Sequence, residues 1–256
     1  MNGECGRHLK GEHLSDGVAY VHSWAGVQLV GADQQWRRFG ACVDEGAIPP
    51  GHRRRLGVFG RMAVACGLSL DHVEELDVVF CSRYGDMDTA CKLLMELAVG
   101  GTLSPAGFSM SVLNASPGVI DLIRKSNVGH TAVAAGSQSL SAGLVEAWSR
   151  LKANPQGRVA LIYSEMTLPT ERTTRSDDDI TGRALALELS LQSDPMAVAQ
   201  LSLDLSASDE DRIEMPGSEA LCDKILSALE VGAASCRRWA SRGTKWSLKV
   251  PADAKD

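Results

Sequence analysis

Residues Gly129 to Trp148 read GHTAVAAGSQSLSAGLVEAW. Thr131 to Ala135 is a short apolar run of the kind a buried strand makes. Gly136 turns the chain. From Ser139 to Lys152 the spacing predicts a helix, with Leu140, Leu144, Val145 and Trp148 on one stripe that core packing explains. A buried strand running sharply into a helix lifts a side chain to the helix N-terminus, where free N–H groups and the helix dipole stabilise an anion. Ser137 and Gln138 stand at that place, and no cysteine does.

Upstream, Asp77 to Cys81 (DVVFC) is a second buried-strand run, followed by Ser82-Arg83-Tyr84-Gly85-Asp86. Asp88 to Val99 has helical apolar spacing and stops at Gly100-Gly101. A long loop, Thr102 to Ser111, leads to a helix over about Pro117 to Lys125. Nearer the N-terminus, Val18 to Val30 is strand-like, and a Gly-, Pro- and Arg-rich connection (Gly46 to Gly60) follows. Short helices are expected over Arg61 to Cys66 and Asp71 to Leu76, the latter capped by Asp71. Downstream, Asn154 to Gly157 is a turn and Arg158 to Tyr163 (RVALIY) a third buried strand. Thr167 to Thr181 reads as a polar loop. Ala184 to Leu191 and Val198 to Leu205 read as strands of a hairpin around Ser193-Asp194-Pro195. Gly217 to Arg242 reads as one long helix, and Trp246 to Val250 as a closing strand. Strand and helix alternate through the middle, which predicts an α/β domain with a mainly parallel central sheet.

Composition narrows the function classes. The 256 residues are 44% hydrophobic and 23% charged, with a net charge of −6 and 5% aromatics. A general nucleic-acid coat would want a basic surface, and base-stacking platforms would want aromatics. No apolar stretch is long enough to span a membrane, and Met1 to His13 lacks the apolar core of a signal peptide. Seven scattered cysteines without a CxxC pair argue against a disulfide framework or a zinc knuckle, and fit reduced thiols in the cytoplasm.

The chemistry-bearing residues are few. Ser139-Leu140-Ser141-Ala142-Gly143 nearly makes the hydrolase pattern G-x-S-x-G, but Ser139 replaces the first Gly and none of the six histidines follows Ser141. Helix-capping serines explain the run better. Cys81 and Cys91 read as small hydrophobes rather than nucleophiles. Asp177-Asp178-Asp179 lacks the spaced oxygens and the glycine of a calcium loop. Arg53-Arg54-Arg55 would suit a phosphate, on a phosphopantetheine carrier or RNA, yet an exposed loop is the favoured reading. No dinucleotide fingerprint or P-loop is present, so no cofactor and no metal are expected.

Two stretches resemble the β-ketoacyl synthases. Leu103 to Val119 (LSPAGFSMSVLNASPGV) matches their pattern before the active site at Ser104, Pro105, Phe108, Ser111, Val112, Asn114, Ala115 and Gly118, while Leu113 stands where many relatives have His. Gly129 to Trp148 resembles their strand–turn–helix that carries the catalytic Cys, whose place falls here on Ser137 or Gln138. A Gln there resembles the chain-length-factor subunits of polyketide synthases. Arg238-Trp239 and Gly243 to Leu248 resemble the close of a half-length ketosynthase-like family encoded with aryl polyene pathways.

This resemblance implies a thiolase-like fold, the N-terminal half of a ketosynthase, with a mixed, mainly parallel five-stranded sheet and flanking helices. It implies one domain over 18–250 between short tails (1–17 and 251–256). It implies no condensing activity alone, and pairing with a catalytic ketosynthase that supplies the Cys and the His residues of the missing half. Contact with an acyl carrier protein would be indirect. Phe108, Met110, Ser111, Leu113, Asn114 and Ile120 are the candidates for the partner face or the acyl tunnel, since Phe108 to Ile123 has few charges and lies beside the degenerate site. Alternatives are a stand-alone acyl- or carrier-binding module, and a small acyltransferase or hydrolase using Ser137 or Ser139.

Overall fold

The computed structural model describes residues 17–31, 33–71, 76–172, 176, 178–204, 215–232, 234–241 and 244–251. Fourteen residues at its start, Gly17–Val30, form the long strand β1. The other strands are β2 (Gln35–Gly40), β3 (Asp77–Cys81), β4 (His130–Val133), β5 (Arg158–Met166), β6 (Ile180–Ser190), β7 (Ala199–Asp204), β8 (Ser235–Ser241) and β9 (Thr244–Val250). The helices are α1 (Pro50–Arg53), α2 (Val58–Leu68), α3 (Met87–Ala98), α4 (Pro105–Ser111), α5 (Ala115–Arg124), α6 (Ser139–Ala153), α7 (Pro169–Arg172) and α8 (Ser218–Val231).

One nine-stranded sheet runs in the order β4-β3-β5-β6-β1-β7-β9-β8, with β2 paired to β1 off this path. Alternation along β3 decides the layers. Val79 and Cys81 face one side, and Val78 and Phe80 the other. The first side is covered by α6 and α8 through Leu140, Leu144, Trp148, Leu221, Ile225 and Leu226. The second is covered by α2 and α5 through Met62, Val64, Val119 and Ile120. A strand with helices on both faces reads as an unbroken apolar run, which is why DVVFC and RVALIY stand out in the sequence. This is a mixed sheet with flanking helices, as the resemblance to the ketosynthases implied.

The sheet is larger and more antiparallel than strand–helix alternation implied. Only β3 with β4 and β3 with β5 pair in parallel; the other described pairings are antiparallel. The extra strands come from three places. Charge-rich β2 sits on the edge of β1, with Arg38 over the Trp36 ring and Arg37 over Phe39; its short, polar sequence gave no strand signal. The expected hairpin of 184–191 with 198–205 does not form, because β1 lies between β6 and β7 and pairs with both. The expected helix over 217–242 ends at Val231. Gly232 takes a left-handed backbone (φ 58°), which glycine adopts at no steric cost, and the chain returns as β8. There Trp239 lies opposite Trp246 of β9 and stacks on it at 6.3 Å. The loop expected over 102–111 is helical at α4, capped by Ser104 Oγ accepting from Gly107 N at 3.2 Å. The short helix expected over 71–76 lies largely outside the described residues.

Candidate functional site

The strand–turn–helix at the centre of the sequence is the turn between β4 and α6. Gly136 has φ 60° and opens a single 3-10 turn over Gly136–Gln138, from which α6 continues at Ser139. Three serines tie the turn down. Ser139 Oγ accepts from Ala135 N at 3.0 Å and donates to Gly136 O at 2.8 Å. Ser218 Oγ donates to Ser137 O at 3.0 Å and accepts from Leu140 N at 2.9 Å, joining the starts of α6 and α8. Ser241 Oγ donates to Gln138 Oε1 at 3.0 Å. The other end of that amide donates to Pro216 O at 3.2 Å. Gln138 is therefore a strut between the approach to α8 and the end of β8.

Of the two serines considered as nucleophiles, Ser139 is fully buried with its hydroxyl committed to backbone, while Ser137 is exposed and lines a cleft. Cys81 is buried against Gly143 of α6, and burial pushes its thiol well above the ordinary range. Cys91 is half-buried on α3. Arg54 and Arg55 are exposed just after α1. Asp179 accepts from Ser176 N at 2.8 Å, and Asp177 lies outside the described residues. Among the described residues no group of three or more His, Cys, Asp or Glu is placed to hold a metal.

A Ser–His–Asp constellation does exist, away from this turn. His22 Nε2 is 2.7 Å from Ser190 Oγ, and its Nδ1 is 3.3 Å from Asp194. Ser190 is 1% exposed and its hydroxyl accepts from Gln192 N at 3.1 Å. A nucleophile needs room for an acyl carbon beside its oxygen, so these residues staple β1 to the end of β6.

The cleft beside Ser137 has a volume of about 340 Å³ and is also lined by Arg83, Tyr163, Glu165, Arg183 and the opening residues of α8. Tyr163 and Glu165 project from β5 on one face, two residues apart. Both are buried. Glu165 Oε2 accepts from Arg83 N at 2.5 Å and from Ser82 Oγ at 3.1 Å. Its Oε1 and the Tyr163 hydroxyl have no hydrogen-bond partner among the described residues. Burial pushes the Glu165 carboxyl up to about 7; the Arg83 N–H, the Ser82 hydroxyl and the Tyr84 N–H oppose it, and the Glu219 charge adds to it. Arg183 is matched by Asp223 at 2.9 Å and Glu219 at 3.4 Å. The sequence reading ended the strand at Tyr163 and missed this pair; a Glu continuing the parity of a buried strand was the available signal.

The expected partner and tunnel residues scatter. Phe108 is 60% exposed on α4. Met110 and Leu113 are half-buried against the second core, Ser111 is half-buried, and Asn114 is exposed at the start of α5. Ile120 is in the core. Sequence reasoning read a helix over Asp88 to Val99, now α3, but did not name it among the partner-face candidates. Its C-terminal half is exposed all round, with Leu94 (62%), Met95, Leu97 and Val99 open to solvent.

A layered α/β fold with a sharp turn between strand and helix is shared by several enzyme classes, and the family match decides among them. The Beta-ketoacyl synthase, N-terminal domain family matches residues 23–247, and the chain belongs to it. No curated protein matches at significance. Among solved structures, the ketosynthase (ApeO) in complex with its chain length factor (ApeC) from Xenorhabdus doucetiae is similar with TM-score 0.66 and 20% identity, over 91% of this chain and 99% of that one. The ishigamide ketosynthase/chain length factor gives 0.50 and 14%, over 85% and 70%. A β-ketoacyl synthase from Burkholderia phymatum STM815 gives 0.50 and 11%, over 84% and 71%. At these identities the likeness is one of fold.

Proposed function

We propose that this chain is a non-catalytic, chain-length-factor-like subunit. It pairs with an active β-ketoacyl-carrier synthase in the cytoplasm and walls part of that enzyme's acyl-chain tunnel, in an aryl polyene or fatty-acid-like pathway. The observation that carries the reading is Gln138. Where the resemblance puts a condensing enzyme's thiolate, on Ser137 or Gln138, no cysteine stands, and the Gln138 amide has both ends tied into the scaffold. An amide so held has no nucleophilic electron pair to offer and fixes the turn instead.

Two features support a partner. Leu94, Met95 and Leu97 of α3, Val99 just after it and Phe108 of α4 put large apolar side chains into water on two packed helices. Such surface is costly unless another protein covers it. The second feature is β4, which ends the sheet order with its outer edge unpaired among the described residues. Phe108, Met110 and Leu113 are the side chains this reading assigns to the shared acyl tunnel.

The test is co-expression with a ketosynthase encoded beside it, followed by size-exclusion chromatography with light scattering. A stable complex containing both chains supports the reading. A monomer or homodimer that ignores the ketosynthase sinks it, as does condensation of malonyl-carrier with an acyl starter by the purified chain alone.

A further inference from the structure

We propose that the cleft beside Ser137 binds a neutral ligand through a carbonyl oxygen, held by the Tyr163 hydroxyl, the Glu165 oxygen left without a hydrogen-bond partner and the opening N–H groups of α8. That the carbonyl belongs to a short acyl chain rests on the function proposed above. The donor chemistry does not.

Three independent groups converge on this cleft. The first is Tyr163, wholly buried, with a hydroxyl that has no partner among the described residues. A buried hydroxyl left unpaired is costly, so the site is completed by something that accepts its proton. The second is Glu165, 3% exposed. Its Oε2 already accepts two hydrogen bonds, so a proton on the carboxyl sits on Oε1, the oxygen without a partner, and makes it a donor. The third is the start of α8. Gly217, Ser218, Glu219 and Ala220 line the cleft, and this end of the helix has no side-chain cap. Its first N–H groups and the positive end of its dipole face the same space.

All three offer protons, so the ligand is an acceptor. Its charge follows from the surroundings. The Arg183 guanidinium is neutralised by Asp223 and Glu219, and the Arg83 guanidinium lies over the Tyr84 ring at 4.5 Å. A carboxylate entering here would meet Glu219, Asp223 and Glu165. A neutral carbonyl carries no charge for those carboxylates to repel. A cavity of about 340 Å³ is at the small end of ligand sites, which suits a few carbons and not a long chain.

Binding then tracks the neutral form of Glu165, whose carboxyl titrates at about 7. The groups facing it are Arg83 and Cys81 from the β3 side, Tyr163 on its own strand, Arg183 on β6, and Glu219 and Asp223 on α8. The probe is the N-acetylcysteamine thioester of acetoacetate, a neutral molecule with two carbonyls. Its affinity is measured by calorimetry or saturation-transfer NMR at pH 6 and pH 8, on this chain and on its complex with the co-expressed ketosynthase. The apparent Kd of the wild type is expected to rise roughly tenfold from pH 6 to pH 8, as the neutral fraction falls. Glu165→Gln keeps a donor in place at both values and is expected to remove that pH dependence. Tyr163→Phe is expected to weaken binding roughly fivefold at both, the worth of one hydrogen bond.

The wild-type pH profile needs no variant to fold. A flat profile, no binding, or tighter binding of the acetoacetate anion than of the thioester each overturns the proposal. Failure is distinguishable from failure of the subunit reading: an intact heterodimer that ignores the probe refutes only the cleft, and probe binding by a chain that never pairs refutes only the subunit.

Discussion

Replacing Glu165 with Gln converts one buried carboxyl into a stability measurement. The side chain is 3% exposed, so its charged form is penalised by lost hydration and solvent screening gives little relief. Two hydrogen bonds to Oε2 pull the other way, and burial still wins, leaving the carboxyl at about 7 against an ordinary 4.5. The folded state therefore holds a proton that the unfolded chain has released. Stability from this group is present in full below the unfolded value and is lost as pH rises through about 7. Between pH 5 and pH 8 the loss amounts to about 2.5 kcal/mol. The amide of Gln accepts from Arg83 N and Ser82 Oγ as the carboxyl does and does not titrate. Urea unfolding at both pH values, for both proteins, isolates the effect, because every other titrating group cancels in the difference. The variant should match the wild type at pH 5 and exceed it by about 2.5 kcal/mol at pH 8. Parallel pH dependence in the two proteins would falsify the claim that Glu165 is held neutral by burial.

Gln138→Ala removes both struts of the degenerate position and should lower stability by about 1–2 kcal/mol in a thermal melt, without creating or abolishing condensing activity. Ser218→Ala strands the buried N–H of Leu140 and the carbonyl of Ser137; a loss of about 1–3 kcal/mol is expected in urea unfolding, and no loss would mean that the α6–α8 junction is held elsewhere. Leu94→Glu with Leu97→Glu should leave the isolated chain's melting temperature within a degree or two, since both sites are exposed, and should abolish co-purification with the ketosynthase. Unimpaired co-purification would remove α3 from the interface. Trp239→Ala should cost about 3–5 kcal/mol, because it empties a stack that closes the far end of the sheet.

What the sequence made legible follows from how each element is buried. β3 and β5 are covered on both faces and therefore announce themselves as apolar runs; α6 carries one buried stripe and announces itself by period. β8 did neither. Its residues Cys236, Arg237 and Arg238 are exposed and only Trp239 and Ser241 are buried, so the run from Ser218 onward kept a helical look past Gly232, whose backbone angle alone ends the helix. β2 is polar and lies on an edge, where pairing with β1 rather than composition makes the strand. The misplaced hairpin has a different cause. Nothing local in 184–205 records that β1, more than 150 residues earlier, occupies the space between its two halves.

The site divided along the same line. The turn at Ser137 and Gln138 is local, and strand, glycine and helix are contiguous there. The cleft is not local. It needs Arg83 from the end of β3, Tyr163 and Glu165 from β5, Arg183 from β6 and the start of α8, which only the sheet order brings together. In sequence the place of the missing nucleophile falls on Ser137 or Gln138. In the fold Gln138 is also a gain, because its amide spans from Pro216 to Ser241 and holds the start of α8 beside Ser137. A cysteine at that place has no atoms to make the span. On the proposed function, the residue that stands in for a nucleophile also fixes the helix end facing the cleft, and the donors gathered there hold an acyl carbonyl without attacking it.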